Sequence, residues 1–231
     1  MGNYLVIGGT SGIGAAVVKK LSEGGHAIHA SYRSTEGAAL PGVSYFRFDA
    51  TSEDPESWAH LPPSLDGLVY CPGSILLKPF NRISTSELMK DYEIQVGGFL
   101  SVLRNCIRAL KTSGTGSVVL FSSVAASVGM PFHAQVSATK GAIEGLTRAL
   151  AAELAPTVRV NCIAPSLTDT RLAEVLLSSP EKREASAQRH PMKRIGSAQD
   201  LAAATCFLLS PESSWTTGQI IHVDGGISTL R

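Results

Sequence analysis

The chain has 231 residues, 44% of them apolar, and its 20 Lys and Arg balance 19 Asp and Glu to a formal charge of +1. That length suits one α/β domain, and a balanced charge without a Lys/Arg cluster argues against nucleic acid as a partner. No apolar run reaches the roughly 18 residues that suggest a membrane span, so no membrane partner is expected. The N-terminal "MGNYLVIGG" lacks the regions of a secretory signal, and Val6 stands where myristoylation needs Ser or Thr. In chain order, "YLVIGG" reads as a strand followed by a helix over about residues 12–23. The segments "HAIHASY", "VSYFRF" and "LDGLVYC" read as further strands with short connections. A helical pattern over 84–111 precedes the strand "GSVVLFSS", and another over 131–155 precedes "VRVNCIA". A last helix over 198–209 leads to "GQIIHVDG". Continuous apolar strands alternating with helices predict a single-domain, Rossmann-type doubly wound parallel sheet of about seven strands with helices on both faces. Cys71, Cys106, Cys162 and Cys206 form no CxxC pair. They read as scattered buried thiols in a reducing, cytoplasmic compartment, with no metal site expected.

The stretch "VIGGTSGIGAAVVKKL" carries the first chemistry. Glycines at 8, 12 and 14 permit a tight turn, close backbone approach to a pyrophosphate, and packing of helix on strand. The free N–H groups at the helix start then face phosphate oxygens. A βα turn that is merely glycine-rich is the plain alternative. The spacing is G-x3-G-x-G rather than the G-x-G-x-x-G of ordinary dinucleotide folds.

With that spacing the chain resembles the short-chain dehydrogenase/reductase family, and further landmarks follow over essentially its whole length. "RFDAT" resembles the segment that contacts adenine, and "YCPGS" stands where the family has an Asn-Asn-Ala-Gly turn. "LFSSVAASVG" matches the strand that ends in the catalytic serine, which puts Ser123 in that role. "SATKGAIEGLTRALAAELAPTVRVNCIAPSLTDT" is similar to the lysine helix, strand and loop that follow. The resemblance therefore implies a nicotinamide dinucleotide held by Gly8, Thr10, Ser11, Gly12, Ile13, Gly14, Asp49, Ala50, Cys71, Pro72, Gly73, Lys140, Pro165, Thr168 and Thr170. Thr170 would bond the carboxamide. It also implies a helical substrate lid over about 167–195, whose Leu172, Val175, Leu176 and Leu177 line the substrate or simply pack on the core.

At the end of the second strand, where NAD-binding members carry an Asp, this chain has Tyr32 followed by Arg33 and Ser34. An unopposed Arg there suits a 2′-phosphate, because its fork can bond the phosphate twice. NADP is the cofactor this favours over NAD; a solvated surface Arg is the alternative reading.

Positions 136, 140, 143, 147, 150 and 154 recur at helical steps and hold Val, Lys, Ile, Thr, Leu and Leu. Lys140 thus falls on an apolar stripe, where an ammonium needs an acceptor, a cavity mouth or a path for its head to reach water. The family lysine at this position bonds the nicotinamide ribose. The matching Tyr-x-x-x-Lys tyrosine, however, is Val136, which has no exchangeable proton. Gln95 replaces an Asn that holds a relay water; it shares a helical phase with Leu88, Tyr92, Phe99 and Leu103, and reads as a water holder or a satisfied core amide. His133, seven residues before Lys140, matches the tyrosine of the Tyr-x6-Lys spacing in the enoyl-carrier-protein reductase branch. It is a candidate proton donor, or a capping residue. Tyr4, Tyr45 and Tyr70 have no spacing that suits substitution. Cys71 reads as a buried thiol rather than a nucleophile. Gly97 and Gly98 inside a helix suggest close helix–helix contact, and the helices at 84–111 and 131–155 are the expected interface of a homodimer or homotetramer.

Two functions follow. The first is an NADP-dependent oxidoreductase that transfers hydride to or from a small carbonyl, alcohol or activated C=C substrate with a non-standard proton donor. The alternative is a dinucleotide-binding protein with little catalysis, serving as a sensor or oligomer partner.

Overall fold

The centre of the molecule is built from strands whose side chains are buried on both faces, so their apolar runs are continuous rather than alternating. A computed structural model describes residues 1–51 and 61–230. Its main sheet contains β1 (Asn3–Ile7), β2 (Ala27–Tyr32), β3 (Val43–Arg47), β4 (Gly67–Tyr70), β5 (Gly116–Phe121), β6 (Val158–Pro165) and, last in the chain, β9 (Ile220–Val223). The order is β3-β2-β1-β4-β5-β6-β9, and every neighbouring pair is parallel. The chain walks from β1 to one edge and then returns to build the other side. That reversal between β1 and β4 opens a crevice at the C-terminal strand ends, where doubly wound sheets bind ligands. All seven expected strands are present.

Successive residues of β1 divide between two cores. Tyr4 and Val6 join Val17, Val18 and Leu21 of α1 (Gly12–Glu23) and Leu201, Leu208 and Leu209 of α6 (Ala198–Leu209). Leu5 and Ile7 join Phe99, Val102 and Cys106 of α3 (Gly98–Thr112) and Ile143 and Ala151 of α4 (Ala134–Leu154). No helix among the described residues is long and apolar enough to cross a membrane. All four cysteines are free thiols.

Three expectations are corrected in detail. The helix expected over 84–111 is three segments: α2 (Thr85–Tyr92), a π turn (Glu93–Gly97) and α3. Ser84 and Glu87 form a reciprocal capping box at the start of α2. The wider turn rotates the preceding helix, so Asp91 rather than Tyr92 faces inward beside Gln95; Tyr92 is exposed. Gly98 is explained by packing within the chain, since a Cβ there would stand 2.5 Å from the Tyr70 hydroxyl and 2.7 Å from the Ala50 carbonyl oxygen. Gly97 faces open space. Finally, α4 begins at Ala134 rather than 131, because Phe132 holds a left-handed φ of 67° that a helix cannot include.

After β6, the short strand β7 (Thr168–Asp169) pairs in parallel with β8 (Gly196–Ser197). Between them lie a 3₁₀ segment, Arg171–Leu177, and α5 (Pro180–Gln188), which starts with proline at its first position after the cap Ser179. Arg183 of α5 grips the Asp169 carboxylate with two bonds of 2.8 and 3.1 Å. Within the 3₁₀ segment Leu177 is buried, whereas Leu172 and Val175 are exposed.

Candidate active site

The glycine turn sits at the C-terminal end of β1. Gly8 and Gly12 have φ of 78° and 52°, a region side chains rarely enter. At Gly14 the constraint is contact instead: an added Cβ would lie 2.2 Å from the Gly8 carbonyl oxygen. The turn is thus a cradle that only glycine can form. Gly8 N–H donates to Ser31 Oγ at 2.9 Å and Gly9 N–H to the Ser31 carbonyl at 2.9 Å, so β2 fixes the loop. Ser11 caps α1 without spending its hydroxyl on the helix, and no acidic residue occupies the first turn. The N-terminus of α1 therefore presents free N–H groups and an uncompensated positive dipole end, which suits phosphate. Thr10 is partly buried beside Ser11, and Ile13 packs under the turn against the α1 core.

Two further loops close on this turn. The Cys71 side chain and the Pro72 ring each come within 3.5 Å of a Cβ placed on Gly8. Burial pushes the Cys71 thiol up to about 12, which makes it inert as a nucleophile. Thr170 packs its methyl group 3.4 Å from a Cβ on Gly12 and donates its hydroxyl to the Thr168 carbonyl at 3.4 Å. Buried Thr168 in turn donates to the Ser166 carbonyl at 3.0 Å. Pro165 ends β6, and the following Ser166 bonds buried His190 Nε2 at 2.8 Å. The second ring nitrogen of His190 meets the Ser186 carbonyl at 2.8 Å, so the imidazole ties α5 to the loop after β6. On the β2 side Tyr32 is partly buried, and Arg33 and Ser34 are exposed. Asp49, just beyond β3, accepts from the Thr51 N–H at 2.9 Å and hydroxyl at 2.7 Å. Those bonds, with Arg33 and Arg47 nearby, hold its carboxyl below the usual range. Ala50 lies beside Tyr70 and Gly98.

The end of β5 carries the other half of the site. Ser123 caps the short turn Val124–Ala126, its Oγ accepting from Ala125 N–H at 3.2 Å, and its hydroxyl hydrogen remains free to donate. Ser137 of α4 donates to the Ala125 carbonyl at 2.6 Å, which locks α4 onto that turn. One residue earlier, Val136 is buried at 5% exposure and offers no proton. Lys140, one turn on, donates from Nζ to the Phe121 carbonyl at 2.9 Å. Burial lowers its pKa from the usual lysine value, and nearby Cys162, Asp91 and Cys71 oppose the shift. His133 occupies the N-cap position of α4 without bonding the helix through its side chain, and its Nδ1 meets the Pro131 carbonyl at 2.7 Å. That bond fixes the tautomer with Nδ1 protonated, leaving Nε2 to act as a base when neutral and an acid when charged.

The structure also gives Gln95 a partner, Asp91, and Asp91 a second one, Ser74, that the motifs did not indicate. Gln95 is buried and donates from Nε2 to Asp91 Oδ1 at 2.7 Å; Ser74 donates to the same oxygen at 2.5 Å. The Gln–Asp pair at i−4 was legible as a helical hydrogen-bonding pair. The partner on the loop after β4 was not. Gln95 thus proves a tied core amide on its nitrogen, while its Oε1 has no partner.

Comparison with known proteins places this geometry in context. A family model described as enoyl-(acyl carrier protein) reductase matches residues 8–228. A tropinone reductase homolog of Arabidopsis thaliana is 36% identical over 240 residues, which span 97% of this chain and 91% of that protein. The 3-oxoacyl-(acyl-carrier-protein) reductase of Aquifex aeolicus is 30% identical over 239 residues, 96% of each chain. Among solved structures, the aldohexose dehydrogenase of Thermoplasma acidophilum superposes with a TM-score of 0.92 at 29% identity, over all of this chain and 95% of that one. A short-chain dehydrogenase/reductase of Brucella melitensis superposes with a TM-score of 0.91, also at 29% identity, over 99% of this chain and 97% of that one.

Proposed function

This chain belongs to the short-chain dehydrogenase/reductase family, and from that premise we propose that it is an NADP(H)-dependent oxidoreductase working without the usual tyrosine. The observation that supports this most is the convergence of the Gly8–Gly14 cradle, the Gly73 turn, Lys140 and Thr170 on the crevice where the strand order reverses. In this reading the α1 N-terminus with Thr10, Ser11 and Ile13 receives the pyrophosphate, and Asp49, Ala50, Cys71 and Pro72 surround the adenine end. Exposed Arg33, with Tyr32 and Ser34, takes the 2′-phosphate. Lys140 has two ammonium hydrogens beyond the one given to Phe121, and these bond ribose hydroxyls; Pro165, Thr168 and Thr170 hold the carboxamide.

When bound, the dinucleotide gives or accepts the hydride. The protein's share is to position the substrate and stabilise charge. Ser123 donates its hydroxyl hydrogen to the substrate oxygen. Val136 cannot complete a proton transfer, which favours an activated C=C bond over a ketone: hydride adds to carbon, and solvent or the His133 imidazolium protonates the resulting enolate. Carbonyl reduction with His133 as the acid is the second chemistry the site allows. The segment 167–195 serves as the lid, and the helices at 84–111 and 131–155 as the interface of a dimer or tetramer.

The test is a fluorescence and thermal-shift titration with NADPH and NADH, followed by turnover on enones, enoyl thioesters and ketones. Tighter NADPH binding with enone or enoyl turnover is the expected result. Failure of either nucleotide to bind would overturn the reading. Binding without turnover would instead support a dinucleotide-binding protein with little catalysis, which buried Val136 independently motivates.

A further inference from the structure

All the buried side-chain oxygens without a hydrogen-bond partner among the described residues lie on two neighbouring segments. Asp91 Oδ2 and Gln95 Oε1 are on α2 and the π turn; Gln135 Oε1 and Thr139 Oγ1 are on α4, which packs against both. Lys140 follows Thr139 directly. Such a concentration of unpaired polar atoms beside a partly buried ammonium calls for an explanation, because a buried polar group without a partner is costly to desolvate.

The geometry joins the two segments through one backbone position. A Cβ on Gly73 would stand 3.3 Å from Gln95 Oε1 and 3.5 Å from Lys140 Nζ, so both atoms border the same spot. Gln95 leads on to Asp91 through its bond of 2.7 Å, and Ser74, the residue after Gly73, closes the ring onto Asp91 at 2.5 Å. Two donors on one oxygen are what a carboxylate, an acceptor only, requires. No direct ion pair joins Asp91 and Lys140 among those formed by the described residues. We infer that Asp91 is a positioning residue of this site: the counter-charge that, from behind Gly73, keeps Lys140 an ammonium and so sets the pH up to which the cofactor anchor works.

The other groups that face Lys140 do not supply that charge. Cys162 on β6 and Cys71 after β4 are both pushed up to about 12 by burial, so they are neutral thiols over the range where the lysine titrates. Glu144, one turn further along α4, is engaged by the Ser122 hydroxyl at 2.7 Å and by Arg148 at 3.8 Å. With both thiols neutral, of the three groups whose charge opposes the burial of Lys140 the carboxyl of Asp91 is the one that remains. The sign follows directly. Burial lowers the lysine pKa and Asp91 raises it, so neutralising Asp91 must move the lysine titration to lower pH.

The experiment reads that titration by NMR in the full chain, from the ¹³Cε resonance of Lys140 (identified by its loss in Lys140→Met) and the ¹³Cγ resonance of Asp91. In the wild type the Asp91 resonance should shift in the same step as Lys140. In Asp91→Asn, which keeps an acceptor for Ser74 and Gln95, the Lys140 midpoint should fall by about one pH unit or more, a tenfold change in acid dissociation. An unmoved midpoint in the folded variant, or a wild-type Asp91 resonance indifferent to the Lys140 step, would overturn the proposal. The wild-type arm needs no variant and decides the matter if Asp91→Asn does not fold. The consequence for binding rests on the function proposed above: NADPH affinity should decline as pH rises through the Lys140 midpoint, and at lower pH in Asp91→Asn. If NADPH does not bind at all, that function fails while the NMR titration still decides the charge coupling.

Discussion

The two halves of the crevice obey different rules. The half around β1 and α1 is fixed by sterics: Gly14 touches the Gly8 backbone, Gly8 and Gly12 adopt left-handed backbone, and no side chain would fit. The half around β5 and α4 is fixed by polar chemistry. There Val136 is buried and offers no proton, while Asp91 and Gln95 bring buried polar atoms to the back of the same site. The glycine cradle tolerates little change because its constraint is backbone contact. A proton path can be rebuilt, because several groups can carry the same charge.

Placing a phenol at position 136 is the strongest way to break this contrast. Val136→Tyr should raise ketone reduction by on the order of 10²–10⁴-fold, the usual contribution of a general acid. An unchanged ketone rate in a folded, NADPH-binding variant would show that more than the valine blocks that chemistry. On the steric side, Gly14→Ala should destabilise the fold by about 3 kcal/mol, since the new methyl meets backbone that cannot step aside. Chemical denaturation measures that loss, and the NADPH-induced thermal shift should vanish with it. Arg33→Ala should reduce the preference for NADPH over NADH by about tenfold, the worth of a charge-assisted hydrogen bond, without changing stability. Competitive titration of the two nucleotides reads it. The smallest effect compares adjacent glycines. Gly97→Ala should stabilise by about 0.5–1 kcal/mol, since Gly97 is exposed, helical and unobstructed, whereas Gly98→Ala should destabilise against Tyr70 and Ala50. Melting temperatures of the pair would separate them.

The cradle was legible because its determinants are local: three glycines between a strand and a helix announce the turn, and the structure brings Thr170 and Pro72 against it. Lys140 was legible as a charge out of place on an apolar face. Its neighbour Asp91 was legible only as a helical partner of Gln95, four residues on, and not as a group standing behind Lys140. A regular helix drawn through 84–111 puts both Asp91 and Tyr92 on the face of Gln95, and the π turn swings Tyr92 out to solvent while Asp91 stays buried. Similarly, Gly98 suggested a helix–helix contact until Tyr70 and Ala50 proved to occupy the space. His133 kept its seven-residue spacing to Lys140, but the left-handed Phe132 before it delays the helix, so it stands at the N-cap position of α4, with its ring bonded to Pro131 rather than to the helix, instead of riding on α4.

By itself, then, the sequence determined the seven strands, the flanking helices and the glycine cradle, because hydrophobic period and turn chemistry act over a few residues. The tertiary structure alone decided which residues stand behind Lys140. Ser74, Asp91 and Gln95 come from a loop and a helix separated along the chain, and a single extra residue in one turn sets which of them points inward. Electrostatics in a buried site depends on such distances, and those exist only once the sheet has brought its strand ends together.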